Sequence, residues 1–318
     1  MKKLTRFIDC TYDQMEEMTA SEMKRSIMMS EGRVLCAQTN SICPNHVAGV
    51  TNLEVCAAMG PDMIMVNTYH LNNDMYNPSF KGVSFPRLKE LSKCCLGVYL
   101  ECSEGGNDSD FSLASNDYLV GRVATKENLE KVIDLGAKFL VLGGNPGMGT
   151  KLDIVIESVR KAKEIICDRC LIMAGKWEDG VDEKVLGDPM ADYDAKEVIK
   201  QLVDAGTDVI TLPAPGSRHG ITVECIRDLT IYAHQLGAAV LCFLDSSVEG
   251  ADEETIRQIC ILMKQTGADI HAIGDAGYVG MPVPENIYTM SIALRGRRFT
   301  FKRMAGRNRT QADKVEWF

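Results

Sequence analysis

The sequence predicts an α/β protein built as a (β/α)8 barrel, and three observations carry that prediction. Eight short apolar runs recur along 318 residues, most of them followed by a helix-like segment. Each run is rich in Val, Ile, Leu and Met, as strands of a parallel sheet buried on both faces require. The length falls within the roughly 200 to 400 residues over which one such barrel with insertions extends. The chain therefore reads as a single domain, with 1–32 as an N-terminal helical cap, 33–300 as the barrel and 301–318 as a C-terminal tail.

Ahead of the first strand, Thr19-Ala-Ser-Glu22 is a capping box that starts a helix running to about Ser30, over the N-terminal mouth. The first run is RVLCAQT from Arg33. The second, DMIMVNTYH from Asp62, leads through the polar NNDMYNPSFKGVSF to a short helix over 86–92. The third, CLGVYLEC from Cys95, leads through SEGGNDSDFSLASND to a helix opened by Thr125. The fourth, KFLVLGGNPG from Lys138, precedes a helix over 150–167. After the fifth, CLIMAGKW from Cys170, comes the long EDGVDEKVLGDPMADYD and a helix over 194–205. The sixth, DVITLPAPG from Asp208, and the seventh, AAVLCFLD from Ala238, precede helices over 222–236 and 252–266. The eighth, DIHAIGDAGY from Asp269, feeds a helix that begins at Pro284. Gly136, Gly206, Gly237 and Gly267 stand where left-handed caps close helices. The long loops after strands two, three and five leave strand C-termini, the face on which this fold does its chemistry.

A net charge of -9 argues against nucleic acid as the main partner. The start, MKKLTRFIDCTYDQ, lacks the apolar core of a signal peptide, and no apolar run reaches the roughly 18 residues of a membrane span. A cytoplasmic protein with no membrane partner is expected, and base rates favour a homo-oligomer. The twelve cysteines are scattered through strands and helices, so they read as reduced, buried thiols, the Cys167/Cys170 pair included. The basic end, RGRRFTFKRMAGRNRTQADKVEWF, reads as a tail that either packs on a neighbouring subunit with Trp317 and Phe318 or lies on the surface.

The residues that close the runs are the functional candidates: Gln38, Asn40, Asn67, His70, Glu101, Asn145, Lys176, Pro213, Asp245 and Asp275, with Arg218, His219, Ser246, Ser247 and Tyr278 just beyond. Charged groups at the ends of apolar strands need a partner, whether each other, a metal or a ligand. A lysine such as Lys176 in an apolar mouth has a depressed pKa and serves as base, Schiff-base nucleophile or electrostatic positioner; the alternative is a lysine paired to Glu101 or Asp275. Glu101, Asp245 and Asp275 offer the hard oxygen donors that suit Mg2+ or Mn2+. Metal-free acid–base work by one carboxylate with Lys176 is an equal contender, and His70 joins the catalytic candidates from its loop. His271, four residues before Asp275, reads as a hydrogen-bonded core histidine on the same side, deeper in the barrel.

Three glycine-rich turns are anion-binding candidates. The first has Gly144, Gly147 and Gly149 ahead of Thr150 as helix cap. The second has Gly216 and Ser217 beside the guanidinium of Arg218, and the third has Gly277 and Gly280 after the last strand. Glycine is also common at such junctions for steric reasons alone. Neither GxGxxG nor GxxxxGK[ST] occurs, which disfavours dinucleotides and P-loop chemistry.

The strings KFLVLGGNPGMGT, LIMAGK, ITLPAPGS, SEGRVLCAQT, GRVATKENLEKVIDLGAKF and ADIHAIGDAGYVGMPVPENIYTMSIALRGRRFTFKRMAGR resemble a family of uncharacterised bacterial TIM-barrel proteins, from about Ile8 to Arg307. Some members carry the label haloacid dehalogenase-like hydrolase and others phosphoenolpyruvate phosphonomutase, so the resemblance implies a barrel enzyme. The hydrolase label implies a nucleophilic Asp in DxDx[TV]; the nearest string is Asp108-Ser-Asp110-Phe-Ser, in a polar loop. The phosphonomutase label implies an Asp-rich metal loop and a KKCGH-type cysteine loop, neither of which the sequence contains.

Two functions of different class follow. One is an enzyme acting on a small phosphorylated or carboxylated metabolite by proton abstraction next to a carbonyl, as in isomerases, epimerases and carbon–carbon lyases. Lys176, Glu101 and Asp275 would share the acid–base and electrostatic roles. The other is a non-catalytic sensor or scaffold that binds such a metabolite and signals through the basic tail.

Overall fold

The protein is described by a computed structural model over residues 4–103, 116–275 and 280–313. Eight strands close a barrel in sequence order with every neighbouring pair parallel. They are β1 Val34–Asn40, β2 Met63–Asn67, β3 Cys95–Glu101, β4 Phe139–Gly143, β5 Leu171–Gly175, β6 Val209–Pro213, β7 Ala239–Leu244 and β8 Ile270–Ile273, one in each apolar run. The helices are α1 Tyr12–Glu17, α2 Ala20–Met28, α3 Asn52–Ala58, α4 Phe85–Ser92, α5 Asn116–Val120, α6 Lys126–Asp134, α7 Leu152–Ile166, α8 Ala195–Ala205, α9 Val223–Gln235, α10 Glu253–Gln265 and α11 Pro284–Gly306.

Period-two alternation divides each strand between two cores. Val34, Met63, Phe139, Leu171, Val209 and Ile270 fill the barrel interior, while their sequence neighbours Leu35, Ile64, Leu140, Ile172 and Ile210 pack on the helices. Phe7, Ile8, Met15, Met23 and Ile27 join the interior cluster, so the N-terminal segment plugs the barrel from below. The Thr19–Glu22 capping box opens α2 as the sequence reading expects. His271 follows the alternation against expectation: Ile270 and Ala272 face inward, so its ring turns out toward Gly32 and the helical layer.

Three further differences have local causes. α7 begins at Leu152 with Lys151 as its cap, because the Thr150 side chain is packed on Gly144. α3, opened by a Thr51–Glu54 capping box, fills the first crossover, where no helix was read from the sequence. The segment read as a tail from 301 instead prolongs α11 past a break at Gly296 (φ 73°), and Trp317 and Phe318 lie outside the described residues. Its arginines fold under the barrel: Arg295 Nη1 and Arg303 Nε donate to the two oxygens of buried Asp62 at 2.6 and 2.7 Å. All twelve cysteines are free thiols. No helix among the described residues is long and apolar enough to cross a membrane.

Candidate functional site

The C-terminal mouth is built on an aromatic layer. Tyr99 and Phe243 point inward from β3 and β7, two residues before Glu101 at the end of β3 and Asp245 just past the end of β7. Trp177, two residues past β5, folds in between them. Its ring meets Tyr99 edge-on at 5.8 Å between centroids and lies tilted on Phe243 at 5.4 Å. Gly143 makes this possible, since a Cβ there would stand 2.5 Å from the indole. The carboxyl groups thus sit one strand layer above a packed aromatic floor.

Glu101, only 1% exposed, is the best satisfied of them. Arg122 Nη2 donates to its Oε1 at 3.1 Å, the Asn145 amide donates to Oε2 at 2.9 Å, and the Asn145 side chain donates to Oε1. Asn145 in turn exchanges two hydrogen bonds with Asn67, at 2.8 and 3.1 Å. Burial raises the Glu101 carboxyl above its usual range, and Arg122 and Asn145 oppose the rise.

Asp245 has different surroundings. Trp177 Nε1 donates to its Oδ2 at 3.2 Å, and Arg218 holds the backbone beside it by donating to the carbonyls of Trp177 and Asp245 at 3.1 and 3.3 Å. Glu249 approaches from the turn after β7, where the Ser246 amide donates to it at 2.9 Å. Gly274 brings β8 close: a Cβ there would lie 2.5 Å from Asp245 Oδ1 and 3.1 Å from Glu249 Oε1. Asp275 takes the Gln38 side-chain nitrogen at 3.5 Å. Burial pushes the Asp245 carboxyl up to about 8, Glu249 and Asp275 push in the same direction, and the Trp177 bond and Arg218 oppose them. Burial likewise raises Glu249.

Glu178 completes the group, and the sequence reading missed it. It is 7% exposed, and burial, then the charges of Asp245 and Glu101, hold its carboxyl well above the usual range. In the sequence it opens the polar string EDGVDEK and looks like loop. The signal was Trp177: an indole just past a strand end marks chain that is still buried.

Other expected residues are taken elsewhere. Lys176 keeps the outward phase of Ile172 and Ala174, and its Nζ donates to the Thr150 carbonyl at 2.8 Å. Burial lowers its pKa, opposed chiefly by Asp179 and Glu183 of the following loop, and its bond is to Thr150 and not to Glu101 or Asp275, the pairing weighed as the alternative. His70 pins its own loop: Nδ1 accepts the Asn72 and Asn73 amides at 3.2 and 3.0 Å, leaving Nε2 to donate to the Asp117 carbonyl at 2.9 Å. Both ring nitrogens are thus used.

The glycine turns are largely satisfied from within. The Gly147 amide donates to Asp179 at 3.2 Å and the Leu152 amide to Glu183 at 2.7 Å, so the first turn takes the protein's own carboxylates. Gly149 (φ 64°) turns the chain, and Gly144 gives room for Thr150. The Gly216 and Ser217 amides donate to the Ile221 and Ala214 carbonyls, leaving Arg218 as the part of that turn beside the mouth. Gly280 accepts the Asn40 amide at 2.8 Å, while Gly277 and Tyr278 lie outside the described residues, as do Asp108 and Asp110. Among the described residues no group of three or more His, Cys, Asp or Glu is arranged to hold a metal ion. The Mg2+ or Mn2+ alternative of Glu101, Asp245 and Asp275 is not among such groups, and Glu101 accepts hydrogen bonds from Arg122 and Asn145 instead.

Fold and site together define a (β/α)8-barrel protein with a carboxyl-lined C-terminal mouth. The chain belongs to the family described as a domain of unknown function, DUF7916, whose profile matches residues 8–309. No curated protein matches the sequence. Among solved structures, the carboxyl transferase domain from Rhizobium etli pyruvate carboxylase is 12% identical with a TM-score of 0.51, over 92% of this chain and 51% of that one. A putative fructose-1,6-biphosphate aldolase from Coccidioides immitis is 12% identical with a TM-score of 0.50, over 91% of this chain and 97% of that one. At such identities the likeness is one of fold.

Proposed function

We propose that this protein is an enzyme that moves a proton on the carbon next to a carbonyl of a small metabolite held in the C-terminal mouth, the step shared by isomerases, epimerases and carbon–carbon lyases. The observation that carries the reading is Asp245, a buried carboxyl pushed up to about 8 and held by Trp177 at the strand end where this fold does its chemistry. A group that titrates near the working pH is half prepared to take a proton and half to return it, which is what general acid–base transfer requires. In this reading Asp245 exchanges the proton with the substrate carbon and Glu178 carries the second proton position. Arg218 meets a carboxylate or phosphate at the rim, where it is the basic side chain of the glycine turns nearest the mouth. The Glu101–Arg122–Asn145–Asn67 network fixes the opposite wall.

The test is proton exchange. The protein in deuterated buffer is incubated with phosphorylated and carboxylated ketones and aldehydes, and mass spectrometry follows deuterium at the carbon next to the carbonyl. Enzyme-dependent exchange that disappears in Asp245→Asn is expected. Compounds that bind tightly yet never exchange would replace this reading with that of a metabolite-binding protein.

A further inference from the structure

We infer that the deep part of the mouth is an ammonium subsite, in which Glu178, Gln38 and Tyr99 receive the protonated amine of an amino-bearing metabolite. This rests on the proposed function only in taking the mouth as the substrate site.

The argument begins with unsatisfied atoms. Glu178 Oε1, Gln38 Oε1 and the Tyr99 hydroxyl are shielded from solvent and have no hydrogen-bond partner. Their side chains are buried, at 7%, 2% and 1% exposure. The Gln38 amide is oriented by Asp275, which takes its nitrogen and leaves the oxygen as the open end. The Gln38 oxygen is a pure acceptor, the Tyr99 hydroxyl accepts as well as donates, and Glu178 becomes a pure acceptor once a cation ionises its carboxyl. A buried acceptor without a donor costs about 1–3 kcal/mol, so a ligand rich in N–H groups relieves this site and an anion does not.

Charge points the same way. Glu178 feels the charges of Asp245, Glu101 and Asp275, with Arg218 as the opposing cation, and Tyr99 feels those of Glu101, Glu178 and Asp245; Arg122 belongs to Glu101. The anion-accepting turn beside the mouth is already filled by Asp179 and Glu183. An ammonium brings several donors at once and one positive charge, and the π face of the aromatic floor favours it further. A divalent ion needs several oxygens converging at fixed distances, which the described residues do not provide. An ammonium tolerates the looser arrangement present here.

The experiment is calorimetric titration of the full chain with ethanolammonium chloride, its neutral isostere ethylene glycol, and inorganic phosphate. Ethanolammonium is expected to bind with proton release, because a cation drives facing carboxyls to ionise; titration in two buffers of different ionisation heat reads that release. Glu178→Gln and, independently, Gln38→Met should each weaken it by about tenfold or more, the size of one charge-assisted hydrogen bond. Two variants on different elements guard against one of them failing to fold. The inference is overturned if ethanolammonium does not bind, if ethylene glycol binds as well, or if phosphate is the ligand whose affinity follows Glu178. Asp245-dependent exchange on a ketone without an amine, beside a failed ammonium titration, would remove this inference and leave the enzyme standing. Ammonium binding without exchange on any compound would do the reverse.

Discussion

Asp62→Asn tests the account of how the barrel is closed from below. Asp62 is buried, with its side chain fully enclosed, and accepts from Arg295 at 2.6 Å, Arg303 at 2.7 Å and the Leu35 amide at 2.9 Å. The asparagine keeps the shape but replaces one acceptor oxygen with a donor that faces a guanidinium. Breaking a buried ion pair from one side costs about 3–5 kcal/mol, since the remaining charge stays buried without its partner. Unfolding entropy of about 2.1 cal/mol/K per residue makes each kcal/mol worth about 1.5 °C for a chain of this length, so the thermal midpoint should fall by about 4–8 °C. Circular dichroism on heating reads it. Arg87→Ala is the control, because that arginine pairs with Glu90 on the surface and should leave the midpoint where it is. An unchanged midpoint in Asp62→Asn would refute the claim that the C-terminal arginines anchor the fold.

Three other outcomes follow. The Asp245 carboxyl is raised from an ordinary 3.8 to about 8 on folding, so between those values the folded chain holds a proton that the unfolded chain has lost. Stability should therefore fall as pH rises from about 4 to about 8, and Asp245→Asn should flatten that slope in urea titrations across the range. Gly274→Ala would place a Cβ 2.5 Å from Asp245 Oδ1, while Trp177 holds the other oxygen. The displaced carboxyl should cost up to about a hundredfold in exchange rate with the fold retained, and an unaltered rate would count against Asp245. Lys176→Met leaves the Thr150 carbonyl unpaired and should cost about 1–3 kcal/mol with exchange intact. A collapse of exchange without loss of stability would return Lys176 to the chemistry.

The strands were legible because burial on both faces leaves an unbroken apolar signature, and their ends picked out Glu101, Asp245 and Asp275. Direction was harder to read. Lys176 and Trp177 are adjacent, and one residue of phase decides that the indole enters the barrel while the ammonium leaves it. The sequence reading chose the charged residue of the pair and passed over both its neighbour and Glu178. The glycine turns misled for another reason. The amides of the first turn do meet carboxylates, but Asp179 and Glu183 come from the next loop, and a pairing between loops leaves no local trace in the sequence. Gly143 and Gly274 matter for the volume they omit, which is visible only once Trp177 and Asp245 stand opposite them.

The two rims of the barrel use the same residue types and treat them differently. Below, Asp62, Asp208 and Asp269 each stand at the entry of a strand and accept the amide of Leu35, Ile172 and Val240 in the preceding strand, at 2.9, 3.1 and 2.9 Å. Each also donates its own amide to the carbonyl of that same residue, so the carboxylate closes a reciprocal clamp between neighbouring strands. Lysines, arginines or a histidine complete these groups: Arg295 and Arg303 at Asp62, Lys24 and Lys163 near Asp208, His234 at Asp269. Above, Glu178 keeps an unpartnered oxygen, and Asp245 and Glu249 are raised by burial and by neighbouring carboxyls. Buried charge that is fully paired serves the fold, whereas buried carboxyls raised by burial and by one another gather where chemistry occurs. That asymmetry between chemically similar rims, rather than the number of acidic residues in the mouth, is why the C-terminal face is the place to look for substrate.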